Sequence, residues 1–383
     1  MMKSRHIQDV RAVRSQAGFS LVEIMVGLLI GLLCTLVIAT VLSSAESQRR
    51  GTTHGSDAQV NGALALYTLQ RELAMAGYGF ASEADALGCT LQARFNGAVV
   101  AALPQVLAPV FIAQGAVGAS DTIRIVSSSK YIDPTPGRLS AVGYTIPTRL
   151  IGPYYDPAGT AGAPNLLYNV YSSISVRQGD LMAQVIGPNQ NCGLFQVTAN
   201  PTAQTIPRAN DPAAWNPVGH PAESTAGGGF LVNLGRFVDI IFSVDANSNL
   251  VASTLDTSNL TRVSSEVQGS IVMLKAMYGH SAAANGVVDT YNYATPVNNA
   301  GWNNMLSVRL AILARSAQYE KEEVTKTLPV WDVGTATAVA GAVPCGSSMC
   351  VSLDISNLPD WKHYRYKLFD TVVSLRNQRW KSV

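Results

Sequence analysis

The stretch that decides the fold is residues 19–42, FSLVEIMVGLLIGLLCTLVIATVL, in which Glu23 is the only charged residue. A helix rises about 1.5 Å per residue, so a stretch of this length spans the hydrocarbon core of a bilayer. The segment before it, residues 1–18, carries Lys3, Arg5, Arg11 and Arg14 against a single acidic residue. Because positive flanks stay cytoplasmic, we expect the rest of the chain to cross the membrane.

The composition of the whole chain excludes several classes of protein. Of its 383 residues, 47% are hydrophobic and 14% are charged, and the net charge is +2. Disordered tails and highly charged coiled coils need many more solvated charges than this. The balance of charges also gives no electrostatic basis for direct nucleic-acid binding, which we therefore do not expect.

Two ordinary interpretations of the apolar stretch explain it incompletely. A secretory signal has an apolar region of about 7–15 residues, and this stretch is too long, although Ser43 and Ala45 have the spacing of a cleavage site. A plain membrane anchor does not explain Glu23, because a charge deep in a bilayer costs about 2.5–3.5 kcal/mol. Glu23 thus requires a partner, or a position near the lipid headgroups.

The junction between the basic segment and the apolar stretch reads GFSLVE over residues 18–23. It resembles the leader junction of type IV pilins and of type II secretion pseudopilins. The resemblance implies that a prepilin peptidase cuts between Gly18 and Phe19 and methylates the new amino terminus of Phe19. It also implies that Glu23 sets the assembly register, by pairing with the amino group of a processed Phe19.

Residues 43–79 predict an amphipathic continuation of the same helix. The segment is polar, but apolar side chains recur at a roughly helical spacing, which indicates a face that packs on a folded head. We expect the helix to be broken or loosened near Gly51 and Gly55 and to end at Gly77 or Gly79. The predicted apolar face consists of Val60, Leu64, Tyr67, Leu69 and Leu73.

Residues 80–383 predict a β-rich head. Alternating patterns indicate strands, Gly, Pro and Asn separate them, and residues 199–229 indicate a long surface loop. The predicted class is therefore α+β: a long N-terminal helix, transmembrane over residues 19–42 and amphipathic over residues 43–79, packed on an antiparallel, globular head. The predicted strands include residues 121–126, 173–177, 194–198, 237–244 and 307–313.

The C-terminal part of the chain narrows the resemblance. Residues 360–377, DWKHYRYKLFDTVVSLRN, resemble the tail of PilW-type minor pilins of the type IV pilus, and residues 308–316, VRLAILARS, resemble the preceding strand of that family. The resemblance covers both ends of the chain, whereas residues 130–300 match no motif. It implies a place in a complex of minor pilins that primes or caps the fibre.

Four cysteines follow the membrane stretch: Cys89, Cys192, Cys345 and Cys350. An even number on the oxidising side of a membrane indicates two disulfides, for which three pairings are possible. The short loop between Cys345 and Cys350 favours local pairing, which leaves Cys89 for Cys192. Cys34 lies within the apolar helix, and we expect it to be a small buried residue.

Catalytic and metal-binding motifs do not emerge from the sequence. Residues 245–256 begin like a calcium loop, but Leu250 occupies the position that needs glycine, so a polar hairpin turn is the favoured interpretation. Zinc is disfavoured because no pair of histidines follows the cysteines at ligand spacing. We therefore predict no catalytic residues, no metal, no cofactor and no enzymatic activity.

The resemblance implies that the protein functions by assembling with other proteins into a fibre. The expected partners are the prepilin peptidase, other minor pilins and the major pilin, with a tip adhesin as a further candidate. The expected location is the inner membrane, in a single pass with a periplasmic head, and later the extracellular fibre or its tip, where the protein supports pilus biogenesis, twitching motility and adhesion. Two alternatives stay open: a minor pseudopilin of type II secretion, and a membrane-tethered periplasmic binding or hydrolase domain.

Overall fold

A computed structural model provides the structure of the chain. It describes residues 18, 20–116, 118–130, 147–156, 159, 162, 164–209, 215–217, 229–335, 338–339 and 341–379. The expectations for the leader, residues 1–17, and for Phe19 lie outside the described residues. The chain divides into two compact units, Met1–Thr53 and His54–Val383.

A single long helix, α1, spans Leu21–Met75. Its helical pattern runs through Gly51 and Gly55, so the predicted break there is wrong; a glycine inside a helix costs only about 1 kcal/mol. The helix ends two residues before Gly77, which adopts φ 73° and donates its N–H to the carbonyl oxygen of Val126 over 2.8 Å. A left-handed glycine at this position is a common helix terminator.

The rest of the described chain is built mainly from strands. Short helices α2 (Asn299–Asn303) and α3 (Arg376–Arg379) and two single 3-10 turns interrupt them. The strands are β1 (Thr90–Gln92), β2 (Arg94–Phe95), β3 (Ala98–Val99), β4 (Val110–Ala113), β5 (Thr122–Ser128), β6 (Thr148–Arg149), β7 (Leu167–Asn169), β8 (Leu181–Val185), β9 (Asn191–Gln196), β10 (Thr205–Pro207), β11 (Phe230–Gly235), β12 (Phe237–Val244), β13 (Leu250–Asp256), β14 (Thr261–Gln268), β15 (Ile271–His280), β16 (Thr290–Asn292), β17 (Met305–Arg315), β18 (Val330–Asp332), β19 (Ala338–Val339), β20 (Val343–Cys345), β21 (Ser348–Ser352) and β22 (Tyr366–Ser374).

Three five-stranded sheets form the body of the head. Their strand orders are β1-β9-β8-β11-β6, β14-β13-β12-β5-β4 and β19-β16-β15-β17-β22. Nearly all described pairs are antiparallel, and β1–β9 and β16–β19 are parallel. A helix followed by several antiparallel sheets is an α+β arrangement, so the predicted fold class is confirmed.

The C-terminal half of α1 packs against the third of these sheets. Gln70 donates from Nε2 to Thr371 Oγ1 over 2.8 Å, which ties the helix to β22. Gly62 lies against the ring of Phe369, and a Cβ atom at Gly62 would overlap that ring. Gln268 donates to Asn61 over 2.9 Å and so ties the helix to β14 as well. Glycine at position 62 therefore permits the close approach of helix and sheet.

Two predictions for the middle of the chain need correction. Residues 173–177 form no strand, because a turn in which the Val176 N–H donates to the Ser173 carbonyl oxygen over 2.8 Å replaces it. The predicted loop 199–229 contains β10, which pairs with β7, and the buried side chain of Trp215, whose exposed fraction is 2%. Alternation over five residues did not distinguish a strand from a serine-rich turn.

Candidate functional site

The start of α1 carries the residues predicted for processing and register. The carbonyl oxygen of Ser20 accepts hydrogen bonds from the N–H groups of Glu23, at 2.9 Å, and Ile24, at 3.2 Å, and so opens the first helical turn. Glu23 is exposed in this turn, where its carboxylate faces the positive end of the helix dipole. Gly18 is also exposed, with open space where a Cβ would lie. The described part of the junction is thus accessible to another protein.

The apolar part of α1 is exposed in the part of the chain that the structure describes. Leu21–Glu46 has a mean hydropathy of 2.7 and none of its most apolar window is buried. The hydroxyls of Thr35 and Thr40 donate to carbonyl oxygens within the helix, at 2.9 and 2.8 Å, as polar groups in lipid must. Cys34 is exposed, contrary to the prediction that it is buried, because no other element of the described chain covers the apolar part of the helix. Lipid or other helices must cover the surface.

The amphipathic half of α1 is apolar on two sides. The side that packs on the head uses small residues and two leucines (Ala58, Gly62, Ala65, Leu69 and Leu73), all buried. The prediction placed Val60, Leu64 and Tyr67 on that side, and for these three it is wrong: they are 54, 51 and 63% exposed. We call Val60, Leu64 and Tyr67 the outer stripe.

Small residues on the buried face explain why helical periodicity gave the wrong packing face for α1. Helical spacing groups Val60, Leu64 and Tyr67 on one face, but the sheet selects the face where Gly62 allows the closest approach. The outer stripe consequently remains available to a second protein.

Two disulfides fasten the head. Cys89 pairs with Cys192, with a Cα–Cα distance of 5.7 Å, and Cys345 pairs with Cys350, with a Cα–Cα distance of 5.8 Å. This is the pairing that the short spacing favours. Both Cys89 and Cys192 are completely buried, and the bond joins the segment after the helix to strand β9.

The structure accounts for the apparent calcium loop as two separate turns. Asp245 Oδ1 accepts from the N–H groups of Asn247 and Asn249, at 2.9 and 2.8 Å, and so closes the turn between β12 and β13. Asp256 lies at the far end of β13, where the N–H and hydroxyl of Ser258 hold the pKa of its carboxyl below the usual value. A strand of this length separates the two carboxylates by about 20 Å, too far for one ion. No cluster of three or more metal-binding side chains occurs among the described residues.

The sequence did not predict the buried ion pairs of the head. Asp121 is completely buried and accepts from Lys275 Nζ at 2.9 Å, and Asp180 accepts from Lys130 Nζ at 2.7 Å. A third buried carboxylate, Asp239, lies between two arginines. The partners are distant in sequence, and no local pattern connects them.

An exposed apolar helix that begins at a glycine-to-glutamate junction, joined to a β-rich head, defines a pilin-like chain. Comparison with protein families agrees: residues 13–45 match the prokaryotic N-terminal methylation motif, and residues 241–377 match type IV pilus-assembly protein W. No curated protein and no solved structure matches the chain. The resemblance to a prepilin-like PilW protein is thus confirmed, and the two matches support a type IV pilus-related pilin. Pilin-family segments of this kind are structural rather than enzymatic.

Proposed function

We propose that this protein is a minor pilin that co-assembles with other minor pilins to prime or cap the type IV pilus. Prepilin peptidase cleaves between Gly18 and Phe19 and methylates Phe19 before assembly. The observation that carries the proposal is the fully exposed apolar part of α1, which opens at a junction matching the methylation motif. An apolar helix that the described residues leave exposed needs lipid before assembly and neighbouring helices after it.

Glu23 gives the assembly its register in this proposal. Its carboxylate is costly in lipid unless a cation compensates it. Cleavage after Gly18 creates a positive amino group at Phe19, four residues before Glu23 in the sequence. Pairing of Glu23 with the Phe19 amino group of a neighbouring subunit neutralises both charges and fixes how far one helix is displaced along the next.

The outer stripe offers a second contact surface, outside the apolar stretch. Val60, Leu64 and Tyr67 present a row of apolar side chains on the helix face opposite the head's sheet. Burial of these three side chains against a neighbouring pilin removes apolar surface from water, which stabilises the contact. The stripe therefore supports packing between subunits in the fibre.

The location and partners follow from this mechanism. The positive leader keeps the N-terminus in the cytoplasm, so the head lies in the periplasm while the helix crosses the inner membrane once. After assembly the subunit resides in the fibre, at or near its extracellular tip. Its partners are the peptidase, other minor pilins and the major pilin, with a tip adhesin as a further candidate, and through them it supports twitching motility and adhesion.

Glu23→Gln tests the register role. We expect normal cleavage but about tenfold less co-purification with the other minor pilins, since a lost charge pair of about 1.4 kcal/mol changes an equilibrium tenfold. Glu23→Asp retains the charge and should recover most of the binding. Asp57→Asn removes an exposed charge from the same helix outside the apolar stretch and should change nothing.

Cells that express these variants test the assignment to the pilus. We expect Glu23→Gln to reduce surface pili and leave type II secretion unchanged. Unimpaired co-purification by Glu23→Gln would contradict the register role, and a secretion defect with normal piliation would show that the protein serves the secretion system instead.

A further inference from the structure

Among the described strands, β14 is an open edge of its sheet. It pairs with β13 along one side, and it is the outermost strand in the order β14-β13-β12-β5-β4. Five of its eight residues are exposed, including Val263 at 65% and Glu266. Its sequence, TRVSSEVQ, contains neither proline nor lysine, the residues that commonly protect an edge from pairing with another chain.

The register shows which main-chain groups point away from β13. The turn that joins the strands is closed at the Asp256–Thr261 pair, where Leu260 N–H donates to the Asp256 carbonyl oxygen over 2.8 Å. Hydrogen-bonded and non-hydrogen-bonded pairs alternate along an antiparallel ladder. The N–H and C=O groups of residues 262, 264 and 266 therefore face outward, and in the part of the chain that the structure describes they have no main-chain partner.

This edge is complementary to itself. If two copies of β14 run antiparallel about Ser264, Ser264 faces Ser264 of the other copy, and Arg262 faces Glu266 at both ends. Each outward N–H then meets an outward C=O, at the spacing of an ordinary antiparallel ladder. Val263 lies opposite Ser265, so the pairing also covers part of its exposed side chain.

The charges at the edge favour the same arrangement. Arg262 Nη2 and Arg124 both donate to the single buried carboxylate of Asp239, at 2.7 Å for Arg262, which leaves this cluster with one excess positive charge. Glu266 is exposed and makes no ion pair among the described residues. In the antiparallel pair, Glu266 of one copy lies opposite Arg262 of the other, on the sheet face that carries this excess positive charge.

We propose that β14 is a self-association surface, on which a second copy of this chain adds its own β14 to form one continuous sheet. The pairing is antiparallel and centred on Ser264. It goes beyond the proposed role in the pilus and does not rest on it, because it uses an edge of the head and no part of the processed N-terminus. An antiparallel edge pair of this kind produces a two-fold symmetric dimer.

Cysteine cross-linking of the full chain in membranes tests the register directly. In a Cys34→Ser background, which removes the free native thiol, Ser264→Cys should form a disulfide-linked dimer under mild oxidation. Facing residues at hydrogen-bonded positions lie about 5.5 Å apart between Cα atoms, within the range for a disulfide. Ser265→Cys is the matched control: its counterpart is a diagonal neighbour about 7–8 Å away and should cross-link at least about tenfold less.

Two further variants separate loss of pairing from loss of folding. Ser264→Pro removes an outward N–H that β13 does not use, so the fold persists while dimerisation of the detergent-solubilised chain weakens about tenfold or more. Ser264→Ala retains the N–H and should dimerise like the parent. Glu266→Arg places like charges opposite each other at both ends and should likewise give monomers.

The cross-linking and dimerisation results can either support or overturn the proposed β14 pairing. Cross-linking by Ser264→Cys, weak cross-linking by Ser265→Cys and a monomeric Ser264→Pro chain together support the proposal. Equal cross-linking at both positions would overturn the register. A chain that stays monomeric at tens of micromolar, or a Ser264→Cys chain that cross-links only to a different protein, would show that the second copy is not the occupant of this edge.

Discussion

Removal of the Cys89–Cys192 disulfide by the double substitution Cys89→Ser/Cys192→Ser is expected to lower the free energy of unfolding of the head by about 5 kcal/mol. The two cysteines are 103 residues apart in sequence, so the bond strongly restricts the unfolded chain. Both side chains are also completely buried, and two serine hydroxyls would take their place in the core. Urea unfolding of the detergent-solubilised protein, followed by tryptophan fluorescence, measures the change.

The second disulfide provides the matched control. Cys345 and Cys350 are five residues apart in sequence and close a small loop. The same chain-entropy argument gives about 2 kcal/mol for Cys345→Ser/Cys350→Ser, less than half of the larger effect. Equal effects of the two double substitutions would contradict the view that the long connection between the segment after the helix and β9 stabilises the head.

Asp239→Ala is expected to destabilise the head by about 3–5 kcal/mol. The carboxylate is completely buried, and it accepts from Arg124 Nε at 2.8 Å and from Arg262 Nη2 at 2.7 Å. Both guanidinium groups also donate to the carbonyl oxygen of Ala102. The substitution leaves two largely buried cations without their shared anion, which costs more than the loss of a surface pair.

Asp370→Ala serves as the control for this prediction. Asp370 Oδ2 lies 3.7 Å from Arg309 Nη2, and its side chain is 47% exposed. Because this carboxylate is half exposed and far from the guanidinium, the pair contributes at most about 1 kcal/mol, so this variant should unfold close to the parent. If Asp239→Ala unfolded at the same urea concentration as Asp370→Ala, the cluster of Asp239 with its two arginines would not stabilise the head.

Features encoded in contiguous sequence were predictable. The apolar stretch and the GFSLVE junction are local signals, since length and one charge determine how a helix meets a bilayer. Strand β12 was predicted with its observed bounds, Phe237–Val244, because alternating residues are bounded by clear turns. The turn after it, at Asp245, was likewise predicted from its polar residues.

Features that depend on which distant residues pack together could not be predicted from the sequence. The helix presents two apolar faces, and only the fit of Gly62 against Phe369 selects the buried one, so the outer stripe was assigned to the wrong side. The residue pairs around Asp239 are separated by 115 and 23 positions, and no local pattern connects them. An open edge such as β14 depends on which strands lack a neighbour, which alternation cannot reveal.

The identity of the mature N-terminus tests the central claim most directly. Mass spectrometry of the protein purified from cells that contain a prepilin peptidase should show a chain that begins at Phe19 and carries one methyl group on its amino nitrogen. Disruption of the peptidase should restore residues 1–18. A mature chain that begins at Glu46 would show removal of the apolar stretch by a signal peptidase and would contradict the account of this protein as a pilin.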